Sequence, residues 1–239
     1  MFSKNINNFS CQGPNPAGSS IDLGNGRWNV TGSGYDIWGT SDSFHFLPFE
    51  KTNDITVTLF SESFENSHTW AKAGLMIRDT LDQNSAQASL FTTGAQYVAF
   101  QTRDVAGATS NNYHTNYGTH RVWLRLTKEG NTITAYVKNE NDAVFKKFTT
   151  RSTFTFTGDN FFVGIPVTSH INGQLATLTA SSFEISDEVF SLPTRDIGDV
   201  GRDVVTAQVG EGNWEVKGAG KDIGVSSIDV CRVERFSIK

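Results

Sequence analysis

Between Arg121 and Lys138 the chain alternates between apolar and polar side chains with a period of two. Val122, Leu124 and Leu126 fall on one side of an extended backbone, and Arg121, Trp123 and Arg125 on the other. Ile133, Ala135 and Val137 alternate in the same way with Thr134, Tyr136 and Lys138. That period belongs to a strand with one buried and one wetted face. Lys128-Glu129-Gly130-Asn131 between the two runs reads as a hairpin connection. Thr56 to Phe60 repeats the pattern, and Phe161–Ser169 with Leu175–Ile185 predicts a second hairpin around His170-Ile171-Asn172-Gly173. Helical spacing is scarce, with at most a short helical turn over Asp79–Ser85. The chain has 18 Phe and 22 Gly but 5 Pro, which suits pleated, half-buried surfaces joined by turns. The fold class is therefore all-β, an antiparallel two-sheet sandwich of the jelly-roll kind.

An internal repeat organises the chain. Residues 24–37 read GNGRWNVTGSGYDI and residues 210–223 read GEGNWEVKGAGKDI, identical at eight of fourteen positions without a gap, one of them a Trp. One unit over 1–186 is thus followed by a connector and the start of a second over 187–239. After Ile37 and Ile223 the copies diverge, so the second unit is truncated, spliced differently or read through a frame slip. A partial unit cannot bury its own apolar face. Residues 196–239 are accordingly expected to be poorly ordered, or to pair with an edge of the first unit.

Several function classes are excluded or disfavoured. A net charge of −5, from 20 basic and 25 acidic residues, opposes binding to a phosphate backbone. No apolar run approaches the ~18 residues of a membrane span. Glycosidic hydrolysis needs two carboxyl groups on one face. The nearest pairs, Glu62/Glu65 and Glu184/Asp187, have odd spacing and point apart on a strand. The five His are scattered without zinc-site spacing, and no Gly-x-Ser-x-Gly nucleophile motif occurs. Gly32-Ser33-Gly34 lacks the strand-to-helix context of a phosphate loop and reads as a turn. His170, in a turn beside Asn172 and Gly173, is expected to orient its loop. Asp36 and Asp42 flank a Gly-containing bend and are the calcium candidates, although Asx hydrogen bonds explain them equally. No other cofactor is expected.

The segment Trp70-Ala71-Lys72-Ala73-Gly74-Leu75-Met76-Ile77-Arg78-Asp79 resembles laminin G-like, concanavalin A-like jelly-roll modules, and within them the group related to the fungal regulation-of-enolase protein. Gly34-Tyr35-Asp36-Ile37-Trp38-Gly39, Val98-Ala99-Phe100-Gln101, Trp123-Leu124-Arg125-Leu126 and Val163 to His170 agree with it, in order, over about residues 20–186. The resemblance implies a sandwich fold and tandem use in large secreted proteins, and it transfers no catalytic residue.

Strand alternation offers one composite face for a ligand. Gln101 and Arg103 point away from Val98 and Phe100, Arg78 away from Leu75 and Ile77, and Trp123, Arg125 and Tyr136 outward from their strands. Rings beside amide and guanidinium donors suit a sugar. Arg78 is alternatively a buried ion-pair member with Asp79 or Asp104. The expectation is a non-catalytic extracellular module, part of a longer secreted chain, that binds glycans or matrix proteins or spaces domains. The tripeptides Asn8-Phe9-Ser10 and Asn29-Val30-Thr31 favour that compartment. A cytoplasmic protein-interaction module is the alternative, since residues 1–10 lack a secretion signal's apolar stretch. Cys11 and Cys231 are read as free thiols, or as a bridge closing a long loop.

Overall fold

The computed structural model describes residues 16–151 and 153–187, together with the backbone of four strands outside those ranges. The strands in chain order are β1 (Lys4–Ile6), β2 (Ser19–Gly24), β3 (Arg27–Gly32), β4 (Asp36–Trp38), β5 (Ser41–Lys51) and β6 (Ile55–Glu65). They continue with β7 (Lys72–Arg78), β8 (Gln87–Thr93), β9 (Tyr97–Arg103), β10 (Asn111–Asn116), β11 (Val122–Glu129) and β12 (Thr132–Asn139). Then follow β13 (Lys146–Arg151), β14 (Phe161–Thr168), β15 (Ala176–Ser186), β16 (Val205–Gly210), β17 (Asn213–Gly218) and β18 (Arg232–Ser237). No helix occurs among the described residues.

Two antiparallel sheets make a β-sandwich of the jelly-roll kind. The first runs β1-β5-β14-β7-β8-β9-β10 with β4 beside β5, and the second β13-β12-β11-β6-β15-β3-β2. Alternate residues fill the space between them. Leu75 and Ile77 of β7, Leu90 of β8, Phe100 of β9 and Ile165 of β14 meet Leu59 of β6, Leu124 of β11, Ile133 of β12 and Leu178 of β15, all fully buried. Each such side chain contributes about 1.5–3 kcal/mol. The β11–β12 hairpin forms as expected, Glu129 facing Thr132 across a turn with Gly130 at positive φ. The second expected hairpin does not. β14 pairs with β5 and β7, whereas β15 pairs with β3 and β6 in the other sheet. The 169–175 loop is a crossover, and alternation alone does not say which sheet a strand joins.

The outer face of the first sheet is also covered, which alternation did not foresee. Phe44 and Phe46 of β5, Met76 of β7 and Phe91 of β8 point away from the main core, and Ile37 of β4 packs on them to make a second, fully buried cluster. The chain reaches this position through Gly34, whose φ is +126°, and a Cβ there would lie 2.1 Å from the Ser43 carbonyl oxygen. Beside this cluster Arg103 grips Asp42 with two nitrogens, at 2.8 and 2.6 Å. It also donates to the carbonyls of Gly39 (3.2 Å), Trp38 (3.2 Å) and Ser85 (3.1 Å). Arg78 approaches the same carboxylate at 3.6 Å and donates to the Thr80 and Asp82 carbonyls. Arg78, Arg103 and Asp42 are all fully buried. Burial pulls Arg78 down to about 10, against the pull of Asp42, so it stays charged at neutral pH. Arg78 and Arg103, two of the three arginines proposed from the sequence as ligand contacts, are therefore structural, and Arg78's carboxylate partner is Asp42 rather than Asp79 or Asp104. Asp42 is committed to guanidinium, not calcium.

The chain divides into two compact units, residues 1–140 with 147–189, and 141–146 with 190–239. In the second, β16, β17 and β18 form an antiparallel sheet of their own. The β16–β17 hairpin reproduces the register of β2–β3: Gln208 faces Trp214 as Asp22 faces Trp28, and both show an irregularity one residue later. Cys11, Cys231, the Asn8 tripeptide and the connector after Asp187 lie outside the described residues. Asn29 of the other tripeptide is half-buried within β3, between β2 and β15.

Removing the shared anion leaves two buried guanidiniums uncompensated, so Asp42→Asn is expected to cost about 3–5 kcal/mol. Urea unfolding of the two proteins measures it, and a loss under 1 kcal/mol would contradict the role given to this carboxylate. His45, buried between the sheets beside Ser20, is held down to about 4 by desolvation. The unfolded chain takes up this proton near pH 6.5, the folded one near 4. Stability is thus full above pH 6.5 and falls by about 3 kcal/mol toward pH 4. A pH series of unfolding curves should show this acid loss reduced by that amount in His45→Gln.

Candidate functional site

At the margin of the covered face a cleft of about 290 Å³ remains open. It is lined by Asp36 and Trp38 of β4, Lys72 of β7, Gln101 of β9 and Asn112 of β10, together with Trp70 and His170. Local folding explains the placement. In β4, Ile37 turns down into the second cluster, so its neighbours Asp36 and Trp38 turn toward the cleft. Lys72 shares the outward face of β7 with Met76 and Arg78. Gln101 and Asn112 are directly paired across β9 and β10.

The indoles of Trp38 and Trp70 are 40% and 41% exposed, well above what such rings show in a core. Lys72 is 2% exposed. Its Nζ donates to Asp36 Oδ1 at 2.6 Å and to the Ile37 carbonyl at 3.0 Å, and lies 5.7 Å from the Trp38 ring centroid. Burial pulls the Lys72 ammonium down and Asp36 holds it up. Asp36 Oδ2 also lies 3.4 Å from His170 Nδ1. His170 has a φ of 62°, a left-handed conformation rare for a residue with a side chain. Its ring stacks with His68 at 4.5 Å and with the exposed Tyr35 at 5.9 Å. Desolvation lowers its pKa, so it is neutral at pH 7.

Gln101 Nε2 donates to Asn112 Oδ1 at 3.2 Å. Gln101 is 2% exposed, and its Oε1 is buried without a hydrogen-bond partner among the described residues. An unpaired buried amide oxygen is costly. Asp36 is the one carboxylate in the lining and is already paired. The cleft thus sets two exposed indoles beside the side-chain amides of Gln101 and Asn112 and the Lys72–Asp36 ion pair.

Of the six residues proposed from the sequence, Gln101 lies in this cleft, while Arg78 and Arg103 are buried beneath the neighbouring surface. Trp123, Arg125 and Tyr136 sit on the outer face of the other sheet. There Trp123 packs at a tilt of 37° against Phe60, ring centroids 5.0 Å apart, with Lys138 Nζ over its ring, and Arg125 donates to Thr58 Oγ1 at 3.0 Å. The expected composite surface is thus split between opposite sides of the sandwich. Asp36, offered for calcium, is a Lys72 partner instead. Trp38, Trp70, Lys72 and Asn112 were missed, and His170, expected to orient its loop, also faces the cleft. The signal was partly present, since the parity that turns Arg78 outward on β7 also turns Lys72 outward. Because Gln101 Oε1 satisfies nothing in the fold, Gln101→Leu is expected to change stability by no more than about 1 kcal/mol. A thermal melt checks this, and a larger loss would mean the oxygen has a structural partner.

No protein-family model and no curated protein sequence matches the chain. Among solved structures it is similar to a functionally unknown protein from Saccharomyces cerevisiae, with a TM-score of 0.55 and 19% identity over 72% of this chain and 92% of that one. It is also similar to the carbohydrate-binding module CBM66 from Bacillus subtilis, with a TM-score of 0.49 and 16% identity over 77% and 94% of the two chains. A legume lectin-like domain from Entamoeba histolytica gives 0.45 and 9% over 70% and 86%. At these identities the likeness concerns the fold.

Proposed function

We propose that the first unit is a non-catalytic carbohydrate-binding module of an extracellular protein, and that the cleft between Trp38, Trp70 and Gln101 is its sugar site. The carrying observation is the pair of half-exposed indoles that line one cleft with the side-chain amides of Gln101 and Asn112. A sugar ring has apolar C–H faces that stack on indole and a rim of hydroxyls that donate to an amide oxygen and accept from ammonium or amide N–H. The single, paired carboxylate in the lining supports binding over hydrolysis, which needs a second carboxyl group. Membership of the group related to the regulation-of-enolase protein, secretion and a tandem second copy are parts of the same reading. The shared register of the β2–β3 and β16–β17 hairpins supports the last of these.

A glycan array followed by calorimetry tests the site. Trp38→Ala and Trp70→Ala are each expected to weaken binding about 10- to 100-fold, the usual cost of truncating an aromatic anchor. Trp123→Ala, on the opposite face, should leave affinity within about twofold. Binding lost with Trp123 and indifferent to Trp38 and Trp70 would move the site to the other sheet. An array without signal would refute the carbohydrate reading.

A further inference from the structure

We infer that the cleft receives the terminal residue of a neutral glycan chain, not an internal stretch, an inference that rests on the carbohydrate-binding reading above. A polysaccharide lying across a sheet needs a row of open positions along it. Here that row is covered. Phe44, Phe46, Met76 and Phe91 lie under Ile37, and Arg78, Gln87, Ser89 and Arg103 are fully buried.

The cleft is also closed beyond Trp38. The Ser110 amide and hydroxyl both donate to the Gly39 carbonyl, at 3.0 and 2.9 Å, and Arg103 Nη2 donates to the Trp38 carbonyl at 3.2 Å. This latch ties the β4 wall to the start of β10, so a chain entering between the two indoles meets main chain rather than an exit. A second ring stands outside, near the exposed Tyr35. Charge agrees as well. Lys72 is matched by Asp36 and His170 is neutral, so the lining carries no net charge to attract an acidic sugar.

The test is calorimetry of the full chain against glucan, xylan, mannan and fructan oligosaccharides of one to six residues. For any series that binds, Kd per chain is expected to vary by less than about threefold between two and six residues. Trp70→Ala should weaken every length by the same factor. Affinity that climbs about tenfold or more from two to six residues overturns the terminal-residue inference and leaves the carbohydrate reading standing. Binding confined to uronic-acid chains on the array overturns the neutral assignment. Absence of binding to any glycan sinks both.

Discussion

The buried union of Arg103 with Asp42 is the constraint on which the outer half of the molecule depends. A guanidinium loses strong hydration on burial and regains it only if its nitrogens find fixed acceptors in the right plane. Asp42 supplies two oxygens, and the carbonyls of Trp38, Gly39 and Ser85 supply the others. Gly39 and Ser85 lie in turns outside the strands, and Trp38 ends the three-residue β4, which pairs with β5 alone. Satisfying one charge thus fixes the strap that follows β4 and the 80–85 turn together.

Once the strap is fixed, the rest of the surface follows. Ile37 is pressed onto Phe44, Phe46, Met76 and Phe91, and the first sheet carries apolar side chains on both faces. The outer face of the first sheet therefore offers a short cleft where the cover stops, bounded by the strap itself. The residues that line the cleft are poorly served by the fold. Gln101 Oε1 has no partner, His170 is held at positive φ, and two indoles remain in water.

Legibility in the sequence tracked the range of the interactions. Val122, Leu124, Leu126, Ile133, Ala135 and Val137 were placed inward correctly, because strand parity is local and water is the same reference for every strand. The crossover between β14 and β15 was misread as a hairpin, because pairing partners are chosen at a distance by twist and core volume. Arg78 and Arg103 were placed outward correctly and then misassigned. Outward from one core is not outward into solvent when a second layer covers the sheet.

From the sequence alone came the strand period, the all-β class and the repeated Gly-Trp-Gly hairpin, because each depends on residues close together in the chain. Which sheet each strand joins, and that Trp38, Trp70, Gln101 and Asn112 converge while Trp123 and Tyr136 lie on the far side, was decided by the tertiary structure. Those residues are distant in sequence, and a buried charge pair with no sequence signature draws the strap across the sheet that brings the first four together.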